Sequence, residues 1–324
     1  MNDMTYLEAI RSGIKEEMER DANVFVLGED VGLYGGAFKL TQGLIEQFGE
    51  KRVIDTPLSE AGIIGTAIGS ALMGMRPIAE IQFADFMQAA FDILINYAAK
   101  AHYLWGVKIP MVVRSPAGGD VHGGPFHSQN PEAFYFHVPG LKIVSPSSVY
   151  DAKGLIKSAI RDDNPVIFLE HKYLYRRVKD VIPKDEYLIP IGKGKIIKDG
   201  NDATIITYGR MVYIALEVAK ELSNKGIEIE IIDLRTLLPL DEELILNSVK
   251  KTYKVLILHE ANKRGGIGAE IAAIISEKAF DYLDAPIVRI AAPDTPVPYA
   301  PPLEENYLPN QQKVMDALIK LINY

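Results

Sequence analysis

The sequence contains no cysteine, no long uninterrupted apolar run and no excess of basic residues. The absence of cysteine excludes disulfides, thiolate zinc sites, iron–sulfur clusters and cysteine nucleophiles. Because no apolar stretch approaches the ~18 residues of a bilayer-spanning helix, no membrane span is expected. Lysines and arginines number 35 against 43 aspartates and glutamates, which gives a net charge of −8. This balance disfavours a nucleic-acid-binding protein, because such proteins need a basic face to neutralise phosphates.

Residues 1–19 are predicted to form an amphipathic helix, since apolar side chains recur there at helical spacing. The segment lacks the charged start, apolar middle and small-residue cleavage site of a secretion signal. Its acidic residues also disfavour a mitochondrial transit peptide. We therefore expect a cytoplasmic protein. The absence of cysteine fits a reducing compartment or a hot habitat.

A length of 324 residues predicts two domains. Short β-branched runs alternate with helical patterns, which indicates an α/β protein whose parallel sheets are covered on both faces. Residues 175–200 are rich in glycine, proline and basic residues and predict a linker, so the domains are placed at 1–188 and 189–324. One long helix is expected over Asp85–Trp105. The tail Ala291–Pro309 is rich in proline, and its stretch Pro293–Pro309 is expected to wrap the surface.

Two glycine-rich segments invite a phosphate-binding interpretation, but neither fits it well. Gly265–Glu270 follows a predicted strand and opens a helix, yet the third glycine of a dinucleotide fingerprint is missing. The predicted helix Gly62–Met73 contains several glycines, each of which costs about 1 kcal/mol relative to alanine. We therefore expect close approach of another backbone to that helix. A nicotinamide-binding dehydrogenase is disfavoured.

Three residues are candidates for chemistry, and each also has an ordinary structural interpretation. Glu60 lies where a turn meets a helix, so its carboxylate could be catalytic or only cap the helix. His127 lies in a polar loop after a strand, where α/β sheets place ligands, but a loop histidine is more often without a catalytic role. Phe86, taken alone, predicts a core residue.

Five segments, spread in order along the whole chain, change this balance because they form one pattern. They are Gly28–Gly32, Val53–Gly62, Gly74–Glu80, His127–Phe134 and Asp233–Asp241. Together they resemble the β subunit of the thiamine-diphosphate-dependent decarboxylating component of 2-oxo acid dehydrogenase complexes. The resemblance implies a pyrimidine-binding α/β domain, residues 1–188, followed by a transketolase C-terminal-like domain, residues 189–324.

The resemblance also implies the reaction. Decarboxylation of a 2-oxo acid leaves an acyl carbanion, and the thiazolium ring of thiamine diphosphate is its electron sink. The acyl group then passes to a lipoyl group of an acyltransferase core. The segment Phe126–Phe134 favours a branched-chain substrate, with pyruvate as the alternative. The implied assembly is an α2β2 heterotetramer, with the second domain serving subunit contacts and acyltransferase docking.

Four residues match functional positions of the family. Glu60 matches the glutamate that hydrogen-bonds the aminopyrimidine ring and helps to activate the cofactor. A poorly solvated site would raise its pKa, which suits proton sharing with the ring. Phe86 matches the aromatic residue that stacks on that ring, and Glu29 matches an acidic residue of the same pocket. His127 matches a histidine that faces the substrate.

Metal binding is implied in two parts. The family can hold a potassium ion through mostly backbone oxygens. The matching positions here are Met111, Ala159, Ile160, Asp162 and Asn164. Thiamine-diphosphate enzymes anchor Mg²⁺ and pyrophosphate through Gly-Asp-Gly and a later asparagine, and no Gly-Asp-Gly occurs here. We therefore expect the α subunit to hold Mg²⁺ and the pyrophosphate.

Two further alternatives remain open at this point. A half of a transketolase-like or deoxyxylulose-phosphate-synthase-like enzyme would explain the fold, but it fits Thr56–Gly62 and His127–Phe134 less well. A non-catalytic structural subunit is disfavoured because Glu60, Phe86 and His127 occur together.

Overall fold

The computed structural model describes residues 2–324, and they form two compact units. The first unit runs to Ala117 and resumes at Phe134–Ile191. The second consists of Gly118–Ala133 and Gly192–Tyr324. The loop that contains His127 therefore belongs to the second unit. No helix within residues 2–324 has the length and apolar character needed to cross a membrane.

Strands and helices alternate along most of the chain, as the sequence pattern predicts. The strands are β1 (Asn2–Thr5), β2 (Val24–Gly28), β3 (Val53–Asp55), β4 (Arg76–Glu80), β5 (Val112–Ala117), β6 (Lys142–Val144), β7 (Val166–His171), β8 (Lys179–Ile182), β9 (Lys195–Lys198), β10 (Ala203–Thr207), β11 (Ile229–Asp233), β12 (Thr236–Leu238), β13 (Val255–Asn262) and β14 (Val288–Ala292). The α-helices are α1 (Tyr6–Arg20), α2 (Leu44–Phe48), α3 (Glu60–Leu72), α4 (Ala101–Trp105), α5 (Glu132–Phe136), α6 (Val149–Arg161), α7 (Leu174–Arg177), α8 (Met211–Ser223), α9 (Glu242–Thr252), α10 (Ile267–Lys278), α11 (Pro301–Tyr307) and α12 (Gln311–Ile322).

The first unit is built on a parallel sheet whose strands lie in the order β6, β7, β5, β4, β2, β3. Every residue of β2, β5 and β7 is buried. Such continuous burial is typical of parallel strands covered on both faces. The predicted α/β architecture is thus confirmed for this unit.

The N-terminal helix starts later than the predicted residues 1–19. It begins at Tyr6, where Thr5 and Glu8 form a reciprocal capping box. The preceding strand β1 pairs antiparallel with β8, a partner far away in the sequence. Helix α1 then packs against α6. The fit is close because Gly13 has no side chain: a Cβ there would lie 2.5 Å from Ile156 Cγ2.

The prediction of one continuous helix over Asp85–Trp105 is wrong. The segment contains a 3₁₀-helix at Ala84–Ala90, a π-helical stretch at Ile93–Ala98 and the short α4. The periodicity of the apolar residues is helical throughout, but it does not distinguish among these three hydrogen-bond patterns. The change of pattern matters because Phe86 lies on the 3₁₀ turn.

The second unit contains a five-stranded sheet in the order β14, β13, β10, β11, β9. Strand β9 pairs antiparallel with β11, which corrects the expectation of a purely parallel sheet. The predicted linker 175–200 is therefore not structureless, since it contains β8, β9 and part of α7. The core lies between this sheet and helices α8 and α12.

The proline-rich tail is more ordered than expected. Its first residues belong to β14, and Pro301–Tyr307 form α11, with Glu304 and Tyr307 buried. Proline is tolerated in the first turn of a helix because the amide hydrogen it lacks has no partner there. The tail is thus partly regular and held by a few buried side chains, while most residues of Pro293–Pro309 are exposed, as expected of a segment that runs over the surface.

Candidate functional site

Three candidate residues follow three neighbouring parallel strands. Strand β2 lies between β3 and β4 in the sheet. Glu29 comes directly after β2, Glu60 shortly after β3, and Phe86 shortly after β4. Because the carboxyl ends of parallel strands meet at one edge of a sheet, these residues share that edge. This edge is where open α/β sheets bind ligands.

Glu60 is the first residue of α3, and its side chain is half-buried. The N-terminus of a helix has partial positive charge, which favours a carboxylate there. Helix α3 packs against the 3₁₀-helix that contains Phe86. The Phe86 ring is half-buried and meets Phe83 edge to face, with a centroid separation of 5.8 Å. A carboxylate and a partly open aromatic face are therefore presented by adjacent elements.

The helix face beside Glu60 does not show the expected backbone approach. Gly65 and Gly69 are exposed, and a Cβ at either would meet no atom within 4 Å. Within the described chain, these glycines are therefore not explained by packing.

The loop after β2 is held in a fixed shape around Glu29. The Gly32 amide donates to Asp55 Oδ1 at 2.6 Å, and the Gly36 amide donates to the Asp30 carbonyl at 2.7 Å. Desolvation raises the pKa of Glu29, and the negative charges of Asp30 and Glu60 raise it further. Glu60 is therefore near enough to Glu29 for its charge to act on that carboxyl group.

One buried hydroxyl in the turn before Glu60 has no hydrogen-bond partner in the described chain. The Thr56 amide donates to the Gly28 carbonyl at 3.0 Å, which ties the Glu60 turn to the end of β2. Thr56 Oγ1 is buried without a hydrogen bond. Buried hydroxyls are normally paired, because desolvating them without a partner costs free energy. A polar ligand at this edge would supply the missing hydrogen-bond partner.

A buried ion cluster lies under this edge of the first unit. Arg114 on β5 forms ion pairs with Glu80 on β4 and Glu170 on β7, and Tyr175 donates to Glu170 at 2.5 Å. The Arg114 side chain is 1% exposed. Burial raises the pKa of Glu80, while the two carboxylates keep Arg114 charged by raising its pKa. The cluster links three neighbouring strands, so Arg114 supports the fold of this unit.

His127 lies in the second unit, in a loop that is held by hydrogen bonds between its own residues. The loop closes where the Gly118 amide donates to the Gln129 carbonyl at 3.1 Å. Gln129 Nε2 donates to the Pro125 carbonyl at 2.7 Å, around a 3₁₀ turn at Gly124–Phe126. The His127 side chain is half-buried. The loop thus presents the imidazole from a closed, ordered turn.

Sequence reasoning missed two buried groups of the second unit. Glu132, at the end of the His127 loop, accepts a hydrogen bond from Tyr208. Burial raises the pKa of Glu132 to about 7, although the Tyr208 hydrogen bond opposes the shift. Burial lowers the pKa of His259 to about 4, and neither of its ring nitrogens has a hydrogen-bond partner among the described residues. No motif reveals these groups, because Tyr208 is 76 residues from Glu132.

The five predicted potassium positions lie together, but some of their carbonyls have a cationic partner already. Arg76 Nη1 donates to the carbonyls of Ile160 and Asp162, each at 3.0 Å. The Met111 carbonyl accepts from the Val166 amide at 3.0 Å, and the Ala159 carbonyl from the Asp162 amide at 3.3 Å. The Asn164 backbone amide donates a hydrogen bond to Asp162 Oδ1 at 2.9 Å. A bound cation would have to share these oxygens with Arg76. Within residues 2–324, no three His, Asp or Glu side chains form a metal-binding group.

Comparison with protein families decides the assignment. The family model of the transketolase pyrimidine-binding domain matches residues 2–178, and that of the transketolase C-terminal domain matches residues 192–314. The 2-oxoisovalerate dehydrogenase subunit beta of Bacillus subtilis is 52% identical, over 100% of both chains. The chain belongs to the β subunits of the 2-oxo acid dehydrogenases. The pyruvate dehydrogenase E1 component subunit beta of Rickettsia conorii is 49% identical, over 99% of both chains.

A solved structure agrees with the fold. The chain superposes on a split gene transketolase, described as an inactive beta4 tetramer, with a TM-score of 0.81 and 25% identity. The match covers 99% of this chain and 98% of that one. The predicted resemblance and fold class are therefore confirmed. The family is one of thiamine-diphosphate-dependent oxidoreductases.

Proposed function

We propose that this β subunit supplies the cofactor-activating half of a 2-oxo acid decarboxylase site that an α subunit completes. The observation that supports this most directly is the position of Glu29, Glu60 and Phe86 after three adjacent parallel strands. The unpaired Thr56 hydroxyl beside them supports a polar ligand at the same edge.

Glu60 is proposed to hold the aminopyrimidine ring through a hydrogen bond to a ring nitrogen. When bound, thiamine diphosphate supplies the electron sink for decarboxylation. The helix N-terminus keeps the Glu60 carboxylate in place, so it can accept and return a proton at that nitrogen. Phe86 offers its ring for stacking. Glu29, whose pKa is raised by burial, is proposed to line the pocket as a hydrogen-bonding carboxyl.

The α subunit is proposed to hold Mg²⁺ and the pyrophosphate. This chain contains no Gly-Asp-Gly sequence, and those groups need oxygen ligands. The proposed assembly is α2β2. It passes the acyl group to lipoyl groups of an acyltransferase core, with docking on the second unit.

His127 is proposed to face the substrate and to handle a proton during acyl transfer. Imidazole can donate or accept a proton near neutral pH, and the lipoyl disulfide needs a proton as its sulfur departs. The segment Phe126–Phe134 favours a branched-chain 2-oxo acid, and pyruvate is the alternative. Measuring kcat/KM for 2-oxoisovalerate and pyruvate with the assembled enzyme decides between them.

A potassium ion is proposed at Met111, Ala159, Ile160, Asp162 and Asn164, with Arg76 as its neighbour. Melting of the subunit in KCl and in NaCl at equal ionic strength tests this. Greater stability in KCl supports the site. Equal melting temperatures in both salts contradict it.

The split site itself is tested with the purified β subunit alone. Alone, it should bind thiamine diphosphate weakly and turn over no 2-oxo acid, because the Mg²⁺ anchor is missing. With the α subunit, cofactor binding and decarboxylation should appear together. Decarboxylation by the rigorously purified single chain would refute the split site.

A further inference from the structure

Two buried carboxylates of the second unit hold the loop that carries His127. Glu304, on α11 of the proline-rich tail, is 1% exposed. It accepts hydrogen bonds from the Asp120 amide at 2.9 Å, the His122 amide at 3.1 Å and His122 Nδ1 at 2.7 Å. One side chain of the tail therefore binds three groups of Asp120 and His122, in the N-terminal arm (Gly118–His122) of the loop Gly118–Asn130.

Glu260, at the end of the sheet on β13, connects the two arms of the loop. It accepts from the Gly119 amide at 2.6 Å on one arm and from Asn130 Nδ2 at 3.0 Å on the other. Arg210 adds a cation to this group, with Nη2 at 2.7 Å from Asp120 Oδ2 and Nη1 at 3.8 Å from Glu260 Oε2. Gly119 sits between the acids, since a Cβ there would lie 3.1 Å from Glu304 Oε1 and 3.5 Å from Glu260 Oε1.

The backbone that Glu304 binds is in an unfavourable conformation. Asp120 and His122 have φ values of +59° and +58°. The left-handed region costs free energy for residues with a side chain, so it persists only where surrounding contacts enforce it. The amides of both residues donate to the same carboxylate. Glu304 therefore stabilises the two strained positions of the loop directly.

The tail also covers the turn next to His127. Gly124 has a φ of +67°, and a Cβ there would lie 2.2 Å from the ring of Tyr299. The His127 amide donates to the Gly124 carbonyl at 3.3 Å. Residues of the tail thus fix the loop both at its N-terminal arm and at the turn that presents the imidazole.

We propose that Glu304 is a positioning residue for His127, with Glu260 as its counterpart across the loop. The proline-rich tail then shapes the loop that carries His127. The inference rests on the proposed function, because Glu304 acts on the reaction only through the imidazole that it places.

The first test measures the loop in the full-length β subunit by amide hydrogen exchange. Glu304→Gln removes the charge and replaces an accepting oxygen with a donor, so exchange of peptides covering Gly118–Asn130 should accelerate. Glu305→Gln, a change of an exposed carboxylate on the same helix, is the matched control and should leave exchange unchanged. Equal protection of the loop in both variants would overturn the proposal.

The second test uses the enzyme assembled with its α subunit and compares two assays. Glu304→Gln should lower acyl transfer to lipoyl roughly 10- to 100-fold, the scale of a misplaced catalytic group. Decarboxylation with an artificial electron acceptor should fall less. Combined with His127→Ala, Glu304→Gln should add no further loss. A purely structural role predicts that the two losses multiply, and that outcome would overturn the proposal.

Further variants separate the possible failures. If Glu304→Gln does not fold, as judged by its melting curve, Glu260→Gln is measured in the same assays and must show the same pattern. If His127→Ala leaves acyl transfer at the parental rate, the proposed role of His127 fails. If His127→Ala is impaired while Glu304→Gln and Glu260→Gln are not, only the positioning role fails.

Discussion

The Tyr208 hydroxyl donates a hydrogen bond to the carboxyl group of Glu132, and both side chains are buried. Glu132 ends the loop that carries His127, and Tyr208 follows the central strand β10 of the second unit. Burial raises the pKa of Glu132 to about 7, and the charge of Glu260 contributes to the increase. The Glu132 carboxyl group, at the end of the His127 loop, therefore titrates near neutral pH.

This pKa predicts how stability depends on pH. With a pKa near 4.5 unfolded and about 7 folded, the folded state holds an extra proton in between. Stability from Glu132 is therefore fully present below pH ~4.5 and is lost as the pH rises through 7. Glu132→Gln lacks this loss, so its free energy of unfolding relative to the parent should rise by up to about 3 kcal/mol between pH 4.5 and 8. Denaturant unfolding across this range measures the difference.

The exposed Glu305→Gln is the control for this comparison, since it should show no such trend. The prediction is contradicted if the difference in unfolding free energy between Glu132→Gln and the parent stays constant from pH 5 to 8. The Glu132 carboxyl group would then be ionised throughout this range.

The Arg114 cluster predicts a large loss of stability on truncation. Arg114→Met leaves Glu80 and Glu170 buried without their cation. Removing one partner of a buried ion pair typically costs about 3 to 5 kcal/mol of unfolding free energy. Lys108→Met breaks an exposed ion pair with Asp163 and should cost less than about 1 kcal/mol. Thermal unfolding of both variants tests this. Similar melting temperatures for the two variants would show that the cluster does not hold the strands together.

His127→Ala should separate the two half-reactions of the assembled enzyme. Acyl transfer to lipoyl should fall at least ~10²-fold, as expected for loss of an acid–base group. Decarboxylation with an artificial acceptor should survive in part, and thiamine diphosphate affinity should stay near the parental value. His102→Ala, a change of an exposed histidine in the first unit, is the control. Parental rates in both assays would return His127 to an ordinary loop residue.

The regular elements and one edge of the site could be predicted from local sequence. Alternating β-branched and helical patterns predict the two sheets, and Glu29, Glu60 and Phe86 follow strand ends as their motifs indicate. The pairing of β1 with β8 and the antiparallel β9 could not be predicted, because register between distant short strands leaves no local pattern.

The anchoring of the His127 loop was also beyond sequence reasoning. Glu304 lies 182 residues from His122, in a stretch whose prolines suggest irregular surface structure. Its burial follows from the loop amides that it binds, and those contacts exist only in the folded unit. The glycines of α3 also gave a wrong expectation, namely that another backbone approaches this helix closely. Gly65 and Gly69 have no packing partner within the described chain.

The most direct test of the account is the rate of decarboxylation by the assembled enzyme with Glu60→Gln. The substitution keeps the shape of the side chain but removes the carboxylate that we propose shares a proton with the cofactor ring. We predict a loss of at least ~10²-fold, with folding and α-subunit binding intact. The exposed Glu50→Gln should retain the parental rate. A Glu60→Gln enzyme that decarboxylates within a few-fold of the parent would contradict the central role assigned to this residue.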